Sequence, residues 1–99
     1  MKLTGKQKTY LRGLGQKLHA VGAVGKAGLT DALIRNIGTL LDRHELIKVH
    51  VPAGPERKDI AAELAAATQS DCAGLVGRMA LLYRPNETLP ADRRIQLPV

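Results

Sequence analysis

The chain has 99 residues, enough for one domain with a single modest core. Its formal net charge of +6 and pI near 9.9 favour a polyanionic partner, either nucleic acid or an acidic membrane surface. A lone cysteine, Cys72, excludes an intrachain disulfide and reads as a small buried apolar residue.

The charge is uneven along the chain. Residues 1–50 carry nine Lys and Arg against three acids, whereas residues 51–99 carry six of each. No Asp or Glu precedes Asp31, but Lys2, Lys6, Lys8, Arg12, Lys17 and Lys26 all do. The N-terminus has no apolar run suited to a signal peptide, and the apolar stretches elsewhere are too short to span a bilayer. The expectation is a soluble, cytoplasmic protein.

A first helix is expected from Thr4, which has capping-box spacing to Gln7. Leu11, Leu14 and Leu18 mark its apolar face, with Tyr10 at the edge. At about 100° per residue, Lys8 and Arg12 share one flank, and Lys6 and Lys17 the other. Gly13 and Gly15 each weaken the helix by about 1 kcal/mol relative to alanine, so packing must hold it. Ala20 to Val24 reads as a short strand of small residues. A second helix from Thr30 to about His44 carries Leu33, Ile34, Ile37, Leu40 and Leu41 at helical spacing. Gly38 inside it suggests close approach of a neighbouring backbone.

Leu46 to Val51 alternates, with Ile47, Val49 and Val51 on one face and Lys48 and His50 on a wetter one. Pro52-Ala53-Gly54-Pro55 then breaks the chain, with Gly54 expected as N-cap and Pro55 in the first turn of a third helix. Ile60, Ala61, Leu64 and Ala65 form its thin face. Asp71 to Val76 and Met79 to Arg84 are the last strands, joined through Gly77-Arg78 as a type II′ hairpin with Arg78 at its tip.

Residues 1–85 thus form the domain, and 86–99 an extended C-terminal tail in which Ile95 and Leu97 alternate, as suits either docking against the domain or adding an edge strand. The order is α-β-α-β-α-β-β, giving an α/β fold: a four-stranded mixed sheet with packed helices, right-handed crossovers and, without Phe or Trp, an aliphatic core.

Between the first strand and second helix stands Gly25-Lys26-Ala27-Gly28. Two glycines three apart permit unusual backbone and close ligand approach, and Thr30 and Asp31 suit the following helix N-terminus. Such a turn directs N–H groups outward at a helix mouth beside the Lys26 charge, which describes an anion site.

Enzyme readings lack parts. Gly25 to Thr30 does not match a P-loop, and Gly22, Gly25 and Gly28 do not match a dinucleotide fingerprint. His19, His44 and His50 share no metal spacing with Cys72, and Ser70, the lone serine, has no base in a recognisable motif. No catalytic residue, cofactor, metal or small-molecule substrate is expected. Among nucleic-acid readings, Tyr10 and Tyr83 are the only aromatics and lie far apart, so aromatic platforms are missing. Recognition should run through phosphates and shape, as in the Gly-x-x-Gly clamp of KH domains.

Five blocks also carry a resemblance: Leu3-Thr4-Gly5-Lys6-Gln7-Lys8 with Tyr10-Leu11-Arg12; Gly25-Lys26-x-Gly28-Leu29-Thr30; His44-Glu45-Leu46-Ile47-Lys48-Val49; Gly77-Arg78; and Leu82-Tyr83-Arg84-Pro85. Together with an Ile95-x-Leu97-Pro98 ending, they resemble the YhbY family, the stand-alone bacterial form of the CRM (chloroplast RNA splicing and ribosome maturation) domain. The resemblance implies a fold similar to the C-terminal domain of translation initiation factor three. It also implies RNA binding, association with the precursor of the large ribosomal subunit and a role in ribosome assembly. Plant relatives place the domain in group II intron splicing factors. Residues 19–24 are smaller than the family's strand, and Ala27 replaces a commonly polar loop residue.

The expected site is Gly25, Lys26, Ala27 and Gly28, flanked by Lys6, Lys8, Arg12 and Lys17, with Lys48 and Arg84 as secondary candidates and ribosomal RNA as partner. The alternative is a protein-interaction module that docks an acidic partner on the open sheet face around Lys48 and His50.

Overall fold

Thr4 opens the first helix as its side-chain pattern requires. Its hydroxyl accepts the Gln7 N–H at 3.1 Å while the Gln7 side chain accepts the Thr4 N–H at 3.0 Å. In the computed structural model, which describes residues 3–99, α1 spans Gly5–Gly15. Met1 and Lys2, including the Lys2 charge and the start of the N-terminal segment, lie outside the described residues. The chain continues through β1 (Ala20–Ala23), α2 (Asp31–Arg43), β2 (Leu46–His50), α3 (Arg57–Ala67), β3 (Asp71–Val76) and β4 (Met79–Tyr83), and ends past a single 3-10 turn at Ala91–Arg93.

The four strands form one mixed sheet in the order β1-β2-β4-β3. β1 runs parallel to β2, and β4 is antiparallel to both β2 and β3. β2, α3 and β3 therefore make a parallel crossover that leaves room for β4 between them. The β3–β4 turn is the expected hairpin: Gly77 has φ +58 and Arg78 is not in the positive region, which is the type II′ pattern.

The two sheet faces bury separate clusters. Ile47, Val49, Val51, Ala80 and Leu82 meet Ile37 and Leu41 of α2 and Ala61, Leu64 and Ala65 of α3. On the opposite face Leu46, Ala73, Leu81 and Tyr83 meet Leu3 and Leu11, with Ile95 and Leu97 of the tail packed alongside. The face expected to be open is therefore covered over part of its area, around Leu46, Ala73, Leu81 and Tyr83. The reason is register: Lys48 and His50 share it with Leu46, Leu81 and Tyr83, and that apolar surface draws α1 and the tail onto it.

Other expectations shift. Leu11 is fully buried, but Leu14 and Leu18 stay about one-third exposed. Gly15 takes the packing position instead: a methyl there would stand 2.7 Å from Leu81 Cδ1, so glycine lets α1 lie close on β4. Gly22 likewise leaves room for Ile37 Cδ1, which explains the glycine in β1. Gly38, by contrast, has no close neighbour at its missing side chain; its carbonyl accepts a hydrogen bond from Arg84 at 3.0 Å. α3 starts at Arg57, not Pro55: the Arg57 N–H closes a separate turn on the Gly54 carbonyl at 3.3 Å, and the helical hydrogen bonds begin with the Glu56 carbonyl, which makes Glu56 the N-cap.

Candidate functional site

The C-terminal ends of β1, β2 and β3 lie at one edge of the sheet. His50 pairs with both Ala23 and Met79, and the Val24 N–H donates to the His50 carbonyl at 2.8 Å. The Gly25–Gly28 turn that follows Val24 is thus brought beside the β3–β4 hairpin tip. Between them lies an open cleft of about 690 Å³ lined by residues including Lys26, Gly28, Pro52, Ile60, Glu63 and Arg78.

Local chemistry shapes the turn. The Gly28 N–H closes it on the Gly25 carbonyl at 3.0 Å, and Gly28 has φ +75, the left-handed region that favours glycine. Gly25 lies outside that region and a side chain there would meet nothing within 4 Å. Only one of the two glycines is thus demanded by the backbone; the other leaves open room for a ligand. The Thr30 N–H is also taken, by the Gly28 carbonyl, and the Leu33 N–H by the Thr30 hydroxyl at 3.1 Å. The free donors are therefore fewer than expected: the N–H groups of Gly25, Lys26, Ala27 and Leu29 have no acceptor among the described residues. The cleft holds the Lys26 ammonium and the Arg78 guanidinium against one carboxylate, Glu63, and neither cation pairs with it.

A second basic groove lies on the α1 face. Arg12 lays its aliphatic stem on Gly74, where a methyl would stand 2.7 Å from Arg12 Cδ, and its Nη2 donates to the Thr9 hydroxyl at 3.1 Å. Lys48 sits across the groove on β2, half-buried, opposite Leu81 in register. Lys8 shares the Arg12 flank one helical turn earlier and is exposed.

The remaining candidates stand apart. Lys17 falls in the turn after α1, and the Lys6 ammonium donates to the Val99 carbonyl at 3.4 Å on the tail side. Arg84 lies past the far end of β4 from the loop. Its guanidinium donates to the carbonyls of Thr68 at 2.8 Å and Gly38 at 3.0 Å, and pairs with Asp42 at 2.6 Å. A group held by three acceptors of its own chain is engaged in the fold. Arg78, in contrast, is exposed at the hairpin tip, makes one long internal hydrogen bond, from Nε to the Val51 carbonyl at 3.5 Å, and is brought beside the loop by strand register. The sequence signalled its exposure at a hairpin tip but nothing about its neighbour.

Among the described residues no group of three or more His, Cys, Asp or Glu could hold a metal ion, and no helix is long and apolar enough to cross a membrane.

Comparison with known proteins agrees with this architecture. Residues 3–84 match the CRS1 / YhbY (CRM) domain. A Haemophilus influenzae protein named "RNA-binding protein" is 37% identical over 99 residues, covering 97% of this chain and 95% of that one. Bacillus subtilis "Probable RNA-binding protein YqeI" is 35% identical over 98 residues, covering 97% and 99%. The solution structure of the hypothetical protein SAV1595 from Staphylococcus aureus superposes with a TM-score of 0.81 at 35% identity, covering 98% of this chain and all of that one.

Proposed function

The chain belongs to the CRS1 / YhbY (CRM) domain family, and on that premise we propose that it is a non-catalytic RNA-binding domain that grips phosphates at the Gly25–Gly28 turn. The observation that carries the reading is the placement of Lys26 and Arg78 in one cleft beside the unpaired N–H groups of Gly25, Lys26, Ala27 and Leu29. Two cations beside free backbone donors at one open cleft suit a phosphodiester oxygen. The names of the relatives, RNA-binding proteins from two bacteria, point to the same polyanion.

Lys8, Arg12 and Lys48 extend the positive surface over the α1 face, whereas Arg84 is left out because its hydrogen bonds are made within the chain. Following the family resemblance, the RNA is ribosomal, in precursors of the large subunit, and the role is ribosome assembly in the cytoplasm. Five contacts, from Lys26, Arg78, Lys8, Arg12 and Lys48, correspond to a log–log salt slope of about −3.5 to −4.5, at about 0.7 to 0.9 per phosphate. Fluorescence anisotropy with large-subunit RNA across a salt series measures it. Lys26→Glu and Arg78→Glu should each reduce affinity, with circular dichroism unchanged. A flat salt response, or charge reversals that bind like the parent, would sink the reading.

A further inference from the structure

α1 covers only part of its sheet face. Strand register sets Lys48, Leu81 and Gly74 in one row and His50, Met79 and Val76 in the next, nearer the hairpin tip. α1 lies on the first row, with Gly15 against Leu81 and the Arg12 stem on Gly74. Among the described residues, none of the second row belongs to the cluster beneath α1 and the tail. A groove of about 270 Å³ results, lined by Arg12, Gly15, Gln16, Lys48, Val76, Met79 and Leu81. Val76 is 68% exposed, unusual for a large aliphatic side chain on a strand.

Resting on the RNA-binding reading, we propose that this groove takes one unpaired nucleotide of the bound RNA, its base lying on the Val76, Met79 and Leu81 shelf and its flanking phosphates between Arg12 and Lys48. Charge complementarity selects the occupant. Neither Arg12 nor Lys48 forms an ion pair; among the described residues only Arg84 and Arg94 do. Two unneutralised cations on opposite walls of an apolar floor suit a ligand that is anionic at its ends and flat and apolar between them. The volume falls below the roughly 300 Å³ at which drug-sized sites begin, which fits a single base better than a larger group. The Met79 thioether makes favourable contact with aromatic rings, and the Gln16 amide offers a donor and an acceptor to a base edge. The chain lacks an aromatic stacking platform, and an aliphatic slot supplies the apolar contact in its place.

The test compares a short single-stranded RNA with the same strand made abasic at its central position, so that the phosphates are equal. With the full chain, the abasic strand should bind about tenfold more weakly, a difference of roughly 1.4 kcal/mol. The Met79 methyl resonance should move with the intact strand only; the one other methionine is Met1. Val76→Asp, at an exposed position, should bind the intact strand about tenfold more weakly and abolish the difference between strands.

Equal binding of the two strands by the parent overturns the base slot while leaving a salt-dependent RNA-binding domain intact. An acidic peptide that moves the Met79 methyl with the affinity of the intact strand overturns it in favour of a protein ligand. Failure to bind any RNA removes both this inference and the function it rests on.

Discussion

The carboxylate of Glu45, just before β2, accepts the backbone N–H of Ile95, fifty residues further along the chain. The same carboxylate accepts the Asn86 N–H at 2.7 Å and pairs with Arg94 Nε at 3.4 Å, and its side chain is fully buried. One acid thereby fastens the tail at both ends of its return path and holds Ile95 and Leu97 against the α1-side cluster.

Glu45→Ala removes the acceptor from two backbone donors and from Arg94. At about 1–3 kcal/mol per buried group left unsatisfied, and with relief as the tail swings into water, the expected loss is about 2–4 kcal/mol. Urea unfolding measures the loss, and hydrogen exchange should show residues 86–99 losing protection first. Glu45→Gln keeps a carbonyl oxygen and should fall between.

Arg84 gives a contrasting case. Arg84→Ala should destabilise by about 1.5–3 kcal/mol, mainly through the carbonyls of Thr68 and Gly38. The Asp42 partner is 72% exposed at its side chain, so water screens that ion pair and it contributes little. Arg84→Lys should recover only part of the loss, since one ammonium cannot reproduce the planar fork that reaches two carbonyls on different elements. Thermal melts test stability. RNA affinity measured below the melting transition should stay within twofold of the parent, because Arg84 lies away from the loop.

The two glycines of the turn should separate stability from binding. Gly28→Ala places a side chain at φ +75 and should cost about 1–2 kcal/mol. Gly25→Ala meets open space without a left-handed backbone, and should be neutral or stabilise by about 0.4–1 kcal/mol. Gly25→Asp should fold equally well yet lose RNA affinity, because its carboxylate would stand where a phosphate is expected. Stability and affinity measured on the three variants together give the pattern; an unaffected affinity in Gly25→Asp would leave the turn with a structural role only.

Alkaline pH should weaken the fold through two groups on neighbouring strands. Burial pushes the Cys72 thiol above its ordinary range. Burial, followed by the Glu45 carboxylate, does the same for the Tyr83 hydroxyl. For both, the unfolded chain releases its proton at lower pH than the folded one. Their stabilisation is therefore complete below the unfolded values and fades as pH rises through the folded ones. Unfolding free energy should thus fall from about pH 8.5 upward. At pH 8, Cys72 should react with iodoacetamide more slowly in the native protein than in urea.

Much of this protein was legible along the chain. The Thr4 and Thr30 caps, the 3.6-residue spacing of α2, the alternation of β2 and the Gly77-Arg78 turn each act within a few residues, so the sequence alone determines them. The same locality makes the Gly25–Gly28 turn readable as a tight glycine corner before a helix N-terminus. What the tertiary structure alone decided is which charges face that corner and which do not. Arg78 reaches the loop because β2 pairs with both β1 and β4, and Arg84, six residues later on the same strand direction, is carried to the opposite end and into three internal hydrogen bonds. Likewise, the apolar spacing of α1 and of Ile95 and Leu97 was legible, but that both segments pack on the Lys48 face, some fifty residues from the tail, was decided only by tertiary packing. Caps and turns are short-range hydrogen-bond geometry; the partners of a long cationic side chain are set by packing between distant segments.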